Sequence, residues 1–270
     1  MGKAYLGILT LAGAALVASA VSSPAMAGHK NWGKYQAGDR HSGYTYMTTE
    51  TMRIQDDDLE NPGMLMTDEG EALWSTVDGE AGKSCASCHN DAAESMKGVA
   101  TVYPKYDPNK KGIDSVETQI NECRTERMKA KAWKWESNQL LAMTVYVKHQ
   151  SKDMPMNVSI DGPVVPFFEK GKAFYYERRG QLDFACKHCH EDNPGMMARA
   201  NRLSEGMSNG FPTYRLKWQK VGSIHRRFRG CNKNIRATPY AYGAPEYLNL
   251  EVYLAWRGRG LPVETPAVRN

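Results

Sequence analysis

The sequence predicts an all-α, loop-rich protein in which an extended N-terminal arm precedes two similar helical halves. Two observations predict this class. Segments with helical apolar spacing recur in both halves about 105 residues apart, which indicates an internal duplication. A cysteine-containing motif recurs in phase with them. Residues 28–62 are instead polar and rich in turn-forming residues, so we expect an arm with little helix, fastened by Tyr44, Tyr46 and Met47.

The recurring motif is a pair of cysteines separated by two residues and followed at once by histidine. It occurs at residues 85–89 and again at residues 186–190. This is the attachment pattern of c-type haem, in which each thiol adds to a haem vinyl group and the histidine offers its imidazole to the iron. Two such motifs predict two covalently attached haem c groups. The residues concerned are Cys85, Cys88, His89, Cys186, Cys189 and His190.

The internal repeat extends beyond the cysteines. A helical segment that begins at Gly70 aligns with one that begins at Gly171, and residues 141–147 align with residues 248–254. Each half therefore reads as helix, haem motif, long loop and C-terminal helix. That order resembles the class I cytochromes c, in which the first and last helices cross beside the haem. Prolines and a glycine in residues 154–166 predict the join between the halves.

Residues 1–27 have the pattern of an export signal, with a positive Lys3, an apolar run and a small-residue cleavage site. The apolar run is too short to span a bilayer comfortably. We expect the mature protein to begin near Gly28, to reside in the periplasm and to have no membrane span. The arm and first cytochrome domain would then occupy residues 28–157, and the second domain residues 158–270.

Two cysteines, Cys123 and Cys231, lie outside the motifs. In an exported chain, two leftover cysteines most often form a disulfide. Each of these, however, follows its haem motif at a similar distance, and a residue at the same step of a repeat most simply does the same job twice. We therefore favour axial ligation of iron by both thiolates. Rival distal ligands lack an in-phase counterpart: Met96, Met128, Met143, Met154, Met196, Met207, His149 and His225.

The sequence around Cys231 is strongly basic. Residues 225–236 contain five lysines or arginines and no acid. The formal net charge of the whole chain is only +5, and removal of Lys3 leaves +4, which does not argue for nucleic acid. Nearby cations favour the thiolate and attract small anions. Arg227 lies one helical turn before Cys231 and could offer an oxyanion its planar fork of donors. A solvated helix face is the alternative interpretation.

Residues 224–231, with the sequence Ile-His-Arg-Arg-Phe-Arg-Gly-Cys, and residues 250–264 resemble the SoxA family. SoxA is the catalytic cytochrome subunit of the SoxAX complex of bacterial sulfur oxidation, and the two motifs match its dihaem form. The resemblance implies an L-cysteine S-thiosulfotransferase that oxidatively conjugates thiosulfate to a cysteine of the carrier protein SoxYZ. Electrons would pass to SoxX, a monohaem cytochrome that is the heterodimer partner.

The resemblance also assigns roles to residues. It implies that Cys231 is the active-site cysteine, modified to a persulfide, and that Arg227 binds the substrate. It implies axial ligation of the first iron by His89 and Cys123, and of the second by His190 and Cys231. The sequence does not rank Arg226 and Arg229 against Arg227.

Two other functions stay open from the sequence. A plain dihaem electron-transfer cytochrome would use both cysteines as ligands but would not need the basic cluster at Cys231. A thiosulfate dehydrogenase would join two thiosulfates to tetrathionate and would need no carrier protein. A dihaem peroxidase is less favoured, because it requires a haem with an open or displaceable distal site.

Overall fold

A computed structural model describes residues 1–2 and 32–270, so nearly all of the expected export signal lies outside the described residues. The described chain forms a helical fold with short strands. The α-helices are α1 (Thr49–Asp56), α2 (Met64–Ser75), α3 (Ala86–His89), α4 (Ala92–Ser95), α5 (Val116–Glu122), α6 (Asn138–His149), α7 (Val165–Tyr176), α8 (Cys186–His190), α9 (Ile224–Asn234) and α10 (Pro245–Arg257). The strands are β1 (Gln36–Ala37), β2 (Arg40–His41), β3 (Lys105–Asp107), β4 (Gly112–Asp114), β5 (Met197–Ala198), β6 (Asn201–Arg202), β7 (Thr213–Arg215), β8 (Lys220–Gly222) and β9 (Ala267–Arg269). None of the described helices is both long and apolar enough to cross a bilayer.

Each half is organised around two crossing helices, α2 with α6 and α7 with α10. A glycine lies at each crossing. A methyl group on Gly70 would collide with the Ala142 carbonyl oxygen, and one on Gly171 would collide with the Asn249 carbonyl oxygen. The helices can approach this closely only because these positions have no side chain. The expected crossing of first and last helices in each half is therefore present.

A β-hairpin precedes a capped helix in each half, which the expectation of an all-α fold did not include. Strands β3 and β4 pair antiparallel before α5, and β7 and β8 pair antiparallel before α9. The Ser115 hydroxyl accepts a hydrogen bond from the Thr118 amide, and Ser223 does the same for Arg226. A serine at this position satisfies an otherwise unpaired helix amide. The hairpins therefore fix where the two helices that carry Cys123 and Cys231 begin.

The two halves are joined by paired backbone rather than by a free linker. Pro155 and Pro262 oppose each other in an antiparallel bridge, and the Met156 amide donates to the Leu261 carbonyl oxygen at 2.8 Å. The Trp135 ring of the first half stacks on His225 of the second, with ring centroids 4.7 Å apart. The segment expected to join the halves is thus packed against the second half.

A buried polar cluster also lies between the halves. The Gly243 amide donates to Nδ1 of the fully buried His225 at 3.0 Å, and His225 Nε2 lies 3.4 Å from Glu251 Oε2. Burial and the charge of Glu251 raise the pKa of Glu117 on α5. Helices α5, α9 and α10 therefore share one set of buried polar side chains.

The N-terminal arm differs from the expected loop, because it contains helix α1. Thr48 caps this helix by accepting a hydrogen bond from the Thr51 amide. Gln55 on α1 donates to the buried Glu264 at 3.0 Å, so the arm packs on the C-terminal segment. Tyr46 confirms its expected anchoring role, since its hydroxyl donates to Glu205 at 2.9 Å.

Candidate functional site

Both cysteine motifs form a single helical turn. Cysteine, cysteine and histidine at positions i, i+3 and i+4 of a helix lie on one face, so each motif presents three chemically active side chains together. The first turn is stabilised by Ser84 and Ser87, since the Ser84 hydroxyl accepts from the Ser87 amide at 3.1 Å. In the second, the Ala185 amide donates to His188 Nδ1 at 2.8 Å. The residue inside each motif therefore helps to fix the turn.

The backbone of a following loop orients His190. Its Nδ1 lies 2.7 Å from the Ser204 carbonyl oxygen. A carbonyl only accepts, so Nδ1 carries the proton and the lone pair of Nε2 is available to a metal. A methyl group on Gly206 would lie 2.8 Å from the His190 ring, and this glycine has a φ of +74°. The loop thus packs directly against the imidazole and leaves no room for another side chain.

The N-terminal arm supports this loop from outside. Glu205, between Ser204 and Gly206, accepts from the His41 amide at 3.0 Å and lies 2.8 Å from His41 Nδ1. Tyr46 donates to the same carboxylate. No residue pattern in the sequence predicts this long-range contact, which links the arm to the loop that packs on His190.

Cys231 faces His190 from α9. The two side chains are within hydrogen-bonding reach, and Cys231 remains partly exposed. Burial raises the pKa of the Cys231 thiol, but the charge of Arg227, the contact with His190 and the charge of Arg215 outweigh it and lower the pKa to about 6. The structure therefore brings together the histidine of the second motif, the leftover cysteine and the predicted arginine.

The structure separates the three arginines that precede Cys231. Arg226 is paired with Glu136 at 3.3 Å and lies 4.8 Å from the Trp218 ring. Arg229 donates to the Tyr240 carbonyl oxygen and stacks on Tyr242. Within residues 32–270, Arg227 has neither a carboxylate nor a carbonyl partner. Arg227 is therefore the arginine of this helix that is available to an external anion.

Sequence reasoning missed Arg215. This residue ends β7, and its charge acts on Cys231 together with that of Arg227. Because it lies on a strand outside α9, no helical spacing in the sequence connects it with Cys231.

The first motif faces a different environment. Cys123 begins a π-helical turn, Cys123–Arg127, that continues α5, and such turns often occur at functional positions. Gln119 Nε2 donates to Cys123 Sγ at 3.7 Å. Burial and the charge of Cys123 raise the pKa of Cys85. The His89 ring lies beside Trp74, with centroids 5.8 Å apart.

All six cysteines are free, and Cys123 and Cys231 are not joined by a disulfide. The disulfide considered above as the alternative to iron ligation is therefore absent from the structure.

The second site fits a haem in three respects. Two cysteine thiols and a metal-ready imidazole lie on one helical turn, and a second sulfur faces the imidazole. The buried Tyr175 hydroxyl and Arg257 Nη1 have no protein acceptor within the described residues, and haem propionates are acceptors of the required kind. Exposed apolar side chains flank the motif and suit a large apolar ring: Leu182, Phe184, Met196 and Met197.

Comparison with known proteins gives the family. The family described as SoxA/TsdA, cytochrome c domain, matches residues 69–156. An L-cysteine S-thiosulfotransferase subunit SoxA from Pseudaminobacter salicylatoxidans is 48% identical over 230 residues, covering 85% of this chain and 80% of that protein. The corresponding protein of Rhodovulum sulfidophilum is 44% identical over 229 residues, with the same coverage of 85% and 80%.

A solved structure agrees with these relatives. The crystal structure of SoxXA from P. pantotrophus matches with a TM-score of 0.83 and 41% identity, over 86% of this chain and 87% of that chain. The helical cytochrome c fold, the cysteine motifs and these similarities lead to one conclusion: the chain belongs to the SoxA family.

Proposed function

We propose that this chain is the catalytic SoxA subunit of an L-cysteine S-thiosulfotransferase that acts in thiosulfate oxidation. A thiol of a SoxYZ-like carrier and thiosulfate form a new S–S bond, and the reaction releases one proton and two electrons. A SoxX-like monohaem cytochrome, bound as the partner subunit, receives the electrons. The observation that carries this proposal is the meeting of Cys231 with His190 and the unpaired Arg227.

The haem-binding residues follow from the two motifs. We assign one haem c to Cys85 and Cys88 and a second to Cys186 and Cys189, although a cytochrome c domain by itself implies only that haem is present. The chemistry that a bound haem supplies is one-electron transfer. His89 and Cys123 would hold the iron of the first haem, and His190 and Cys231 would hold the iron of the second.

The chain's own residues provide the rest of the site. Cys231 is the proposed active-site cysteine, and cations around it favour the nucleophilic thiolate form. The family resemblance adds a persulfide on this residue. Arg227 is the proposed substrate-binding residue, because its guanidinium can hold two sulfonate oxygens in parallel hydrogen bonds. Ser204 holds His190 in the tautomer that suits a metal.

We also propose that the two halves arose by internal duplication. Each half contains a glycine-mediated helix crossing, a cysteine motif, a hairpin and a serine-capped helix in the same order. The domain bounds that we propose are residues 28–157, with the arm, and residues 158–270. Residues 1–27 would direct export to the periplasm.

Turnover with and without the carrier tests the proposed function. The holoprotein with its cytochrome partner should reduce an acceptor cytochrome only when both thiosulfate and the carrier are present. Turnover with thiosulfate alone, with tetrathionate as product, would instead identify a thiosulfate dehydrogenase. Electron transfer without any thiosulfate dependence would identify a plain cytochrome. Intact-mass spectrometry of the same sample would show two haems and any extra sulfur on Cys231.

A further inference from the structure

Arg215 is held in a defined position beside the second site. It lies at the end of β7, the middle strand of a sheet ordered β8-β7-β9. Its Nε donates to the Asn270 main-chain oxygen at 2.7 Å, and its guanidinium lies 4.9 Å from the Trp218 ring. The Arg226 guanidinium contacts the same ring. Arg215 and Arg226 therefore share a contact with Trp218, and of the two only Arg226 is paired with a carboxylate side chain, Glu136.

Arg215 and Arg227 form a pair of like charges without an acidic side chain between them. Arg215 and Arg226 contact the same Trp218 ring, which brings Arg215 beside the first turn of α9, the turn that also carries Arg227. Burial and the charge of Arg227 lower the pKa of Arg215 to about 10. No aspartate or glutamate side chain within residues 32–270 forms an ion pair with either of them, since Glu136 binds Arg226 and Glu264 binds Arg269. Two adjacent cations in a partly buried site repel each other, which costs electrostatic free energy unless an anion binds between them.

The first half has no such pair of cations. Asp107 stands at the hairpin position of Arg215, and Gln119 at the helix position of Arg227. Lys110, which lies 3.6 Å from Asp107, is paired with Asp114 at 2.7 Å and also with Glu122. Lys110 at the first site is thus paired with carboxylates, whereas no carboxylate side chain within residues 32–270 pairs with Arg215 or Arg227.

We propose that Arg215 is a second substrate-binding residue, which acts with Arg227 to hold both charges of thiosulfate and to disfavour monoanions. This inference rests on the proposed function. Each guanidinium offers planar, permanently charged donors, so two of them can surround the three sulfonate oxygens and leave the terminal sulfur free to react. A single arginine would neutralise only one of the two charges.

Substrate discrimination tests this role. Methanethiosulfonate carries the same terminal sulfur as thiosulfate but only one negative charge. In the holoprotein, Arg215→Gln should raise the KM for thiosulfate about tenfold with little change in kcat, because a charge-assisted contact is lost. The KM for methanethiosulfonate should change much less, so the preference for the dianion should fall. Arg215→Lys should restore part of the preference, because lysine keeps the positive charge but lacks the planar pair of donors of the guanidinium.

Lys217→Gln is the matched control. It removes one positive charge from the exposed turn of the same hairpin, and it should leave both KM values unchanged. Calorimetric titration of thiosulfate into the oxidised holoprotein gives a readout that does not need turnover. It should show weaker binding to Arg215→Gln than to wild type.

The outcomes separate this inference from the proposed function. Unchanged thiosulfate affinity and unchanged discrimination in Arg215→Gln would overturn the role of Arg215, even if the wild type is fully active. A normal preference for the dianion combined with an altered haem spectrum would also overturn it, because Arg215 would then be a haem-holding residue. If the wild type shows no carrier-dependent turnover, the proposed function fails, and the calorimetric comparison still decides whether Arg215 binds the anion.

Discussion

Cys123 and Cys231 occupy the same step of two similarly built halves, yet their neighbours differ in charge. Each lies at the same distance from the serine that caps its helix, and each helix follows a hairpin. Next to Cys123 are an amide, Gln119, and an arginine, Arg124, that is already paired with Asp78. Next to Cys231 are two arginines without acidic partners. The frame is shared, and a few side chains decide which half can bind an anion.

This difference explains how one architecture can serve two tasks. In the proposed function, a helical frame with a cysteine motif and a facing sulfur would hold a haem in each half. Binding of thiosulfate requires in addition that positive charge be left without an internal partner. Function therefore depends on the chemistry of the site rather than on the fold that both halves share.

Removal of the attachment cysteines should have the largest effect. The double variant Cys186→Ala/Cys189→Ala should lose one covalent haem and all turnover, whereas Cys85→Ala/Cys88→Ala should lose the other haem and keep the thiosulfate affinity of the second site. Intact-mass spectrometry counts the haems, and calorimetry measures the affinity. A wild-type mass with a single haem would contradict the comparison.

Arg227→Gln should have the next largest effect. Loss of a charge-assisted contact made in the transition state costs about 1.5–3 kcal/mol, or roughly a ten- to hundredfold decrease in kcat/KM. Arg127→Gln, at an exposed position near Cys123, is the matched control and should stay within about a factor of two. Steady-state kinetics with thiosulfate and carrier measure both. Equal losses in the two variants would mean that general positive charge, rather than the second site, matters.

Gly171→Ala and Gly70→Ala test whether the two helix crossings are equivalent. In each case the new methyl group would collide with a carbonyl oxygen of the facing helix. Overpacking of this kind costs about 1–3 kcal/mol, so both variants should melt several degrees below wild type. Gly82→Ala has open space around it but a positive φ of +57°, and it controls for backbone strain alone. Thermal unfolding followed by circular dichroism gives the comparison, and an unchanged melting temperature in Gly171→Ala would contradict the close approach.

Removal of an ion pair that is found only in the first half should have the smallest effect, and this effect is on stability. The Arg124 side chain pairs with Asp78 at 2.6 Å and lies 3.6 Å from the Trp133 ring, whereas Arg179 stands at the position of Asp78 in the second half. The hydrogen bond from Arg124 lowers the pKa of Asp78 in the folded state. The pair therefore stabilises the fold above the unfolded-state pKa of about 4, and this stabilisation is lost as the pH falls through the lower, folded value.

Asp78→Asn should accordingly lower the melting temperature only slightly at pH 7, by about 1–2 °C, because Asp78 is half exposed. The difference from wild type should shrink in acid. A difference that grows below pH 4 would have the wrong sign for this linkage.

The sequence predicted the parts of this molecule that depend on spacing. The two motifs, the in-phase Cys123 and Cys231, and the position of Arg227 one turn before Cys231 can all be read from residue types at fixed intervals. Arg215 could not be found in this way, because it lies outside α9 and the hairpin of β7 and β8 brings it to the site. Ser204 orients His190 through its main-chain carbonyl oxygen. Every residue type has this group, so the residue type at position 204 could not predict the contact.

The prediction that the N-terminal arm has little helix was wrong for a different reason. Thr48 was an available capping signal for α1, but the polar composition of the arm favoured a loop. The contact between Tyr46 and Glu205 depends on how the arm packs against the second half. Such long-range contacts are fixed by tertiary structure and leave no periodic pattern in the sequence.

The most direct test of the account compares Cys231→Met with Cys123→Met in formation of the carrier adduct. Each holoprotein variant is incubated with its cytochrome partner, thiosulfate and reduced carrier, and the mass of the carrier is measured. Methionine can still ligate iron through its thioether but cannot form a thiolate or a persulfide. We expect no thiosulfate adduct on the carrier with Cys231→Met, and an adduct with Cys123→Met. A wild-type yield from Cys231→Met would show that the sulfur chemistry does not occur at the second site.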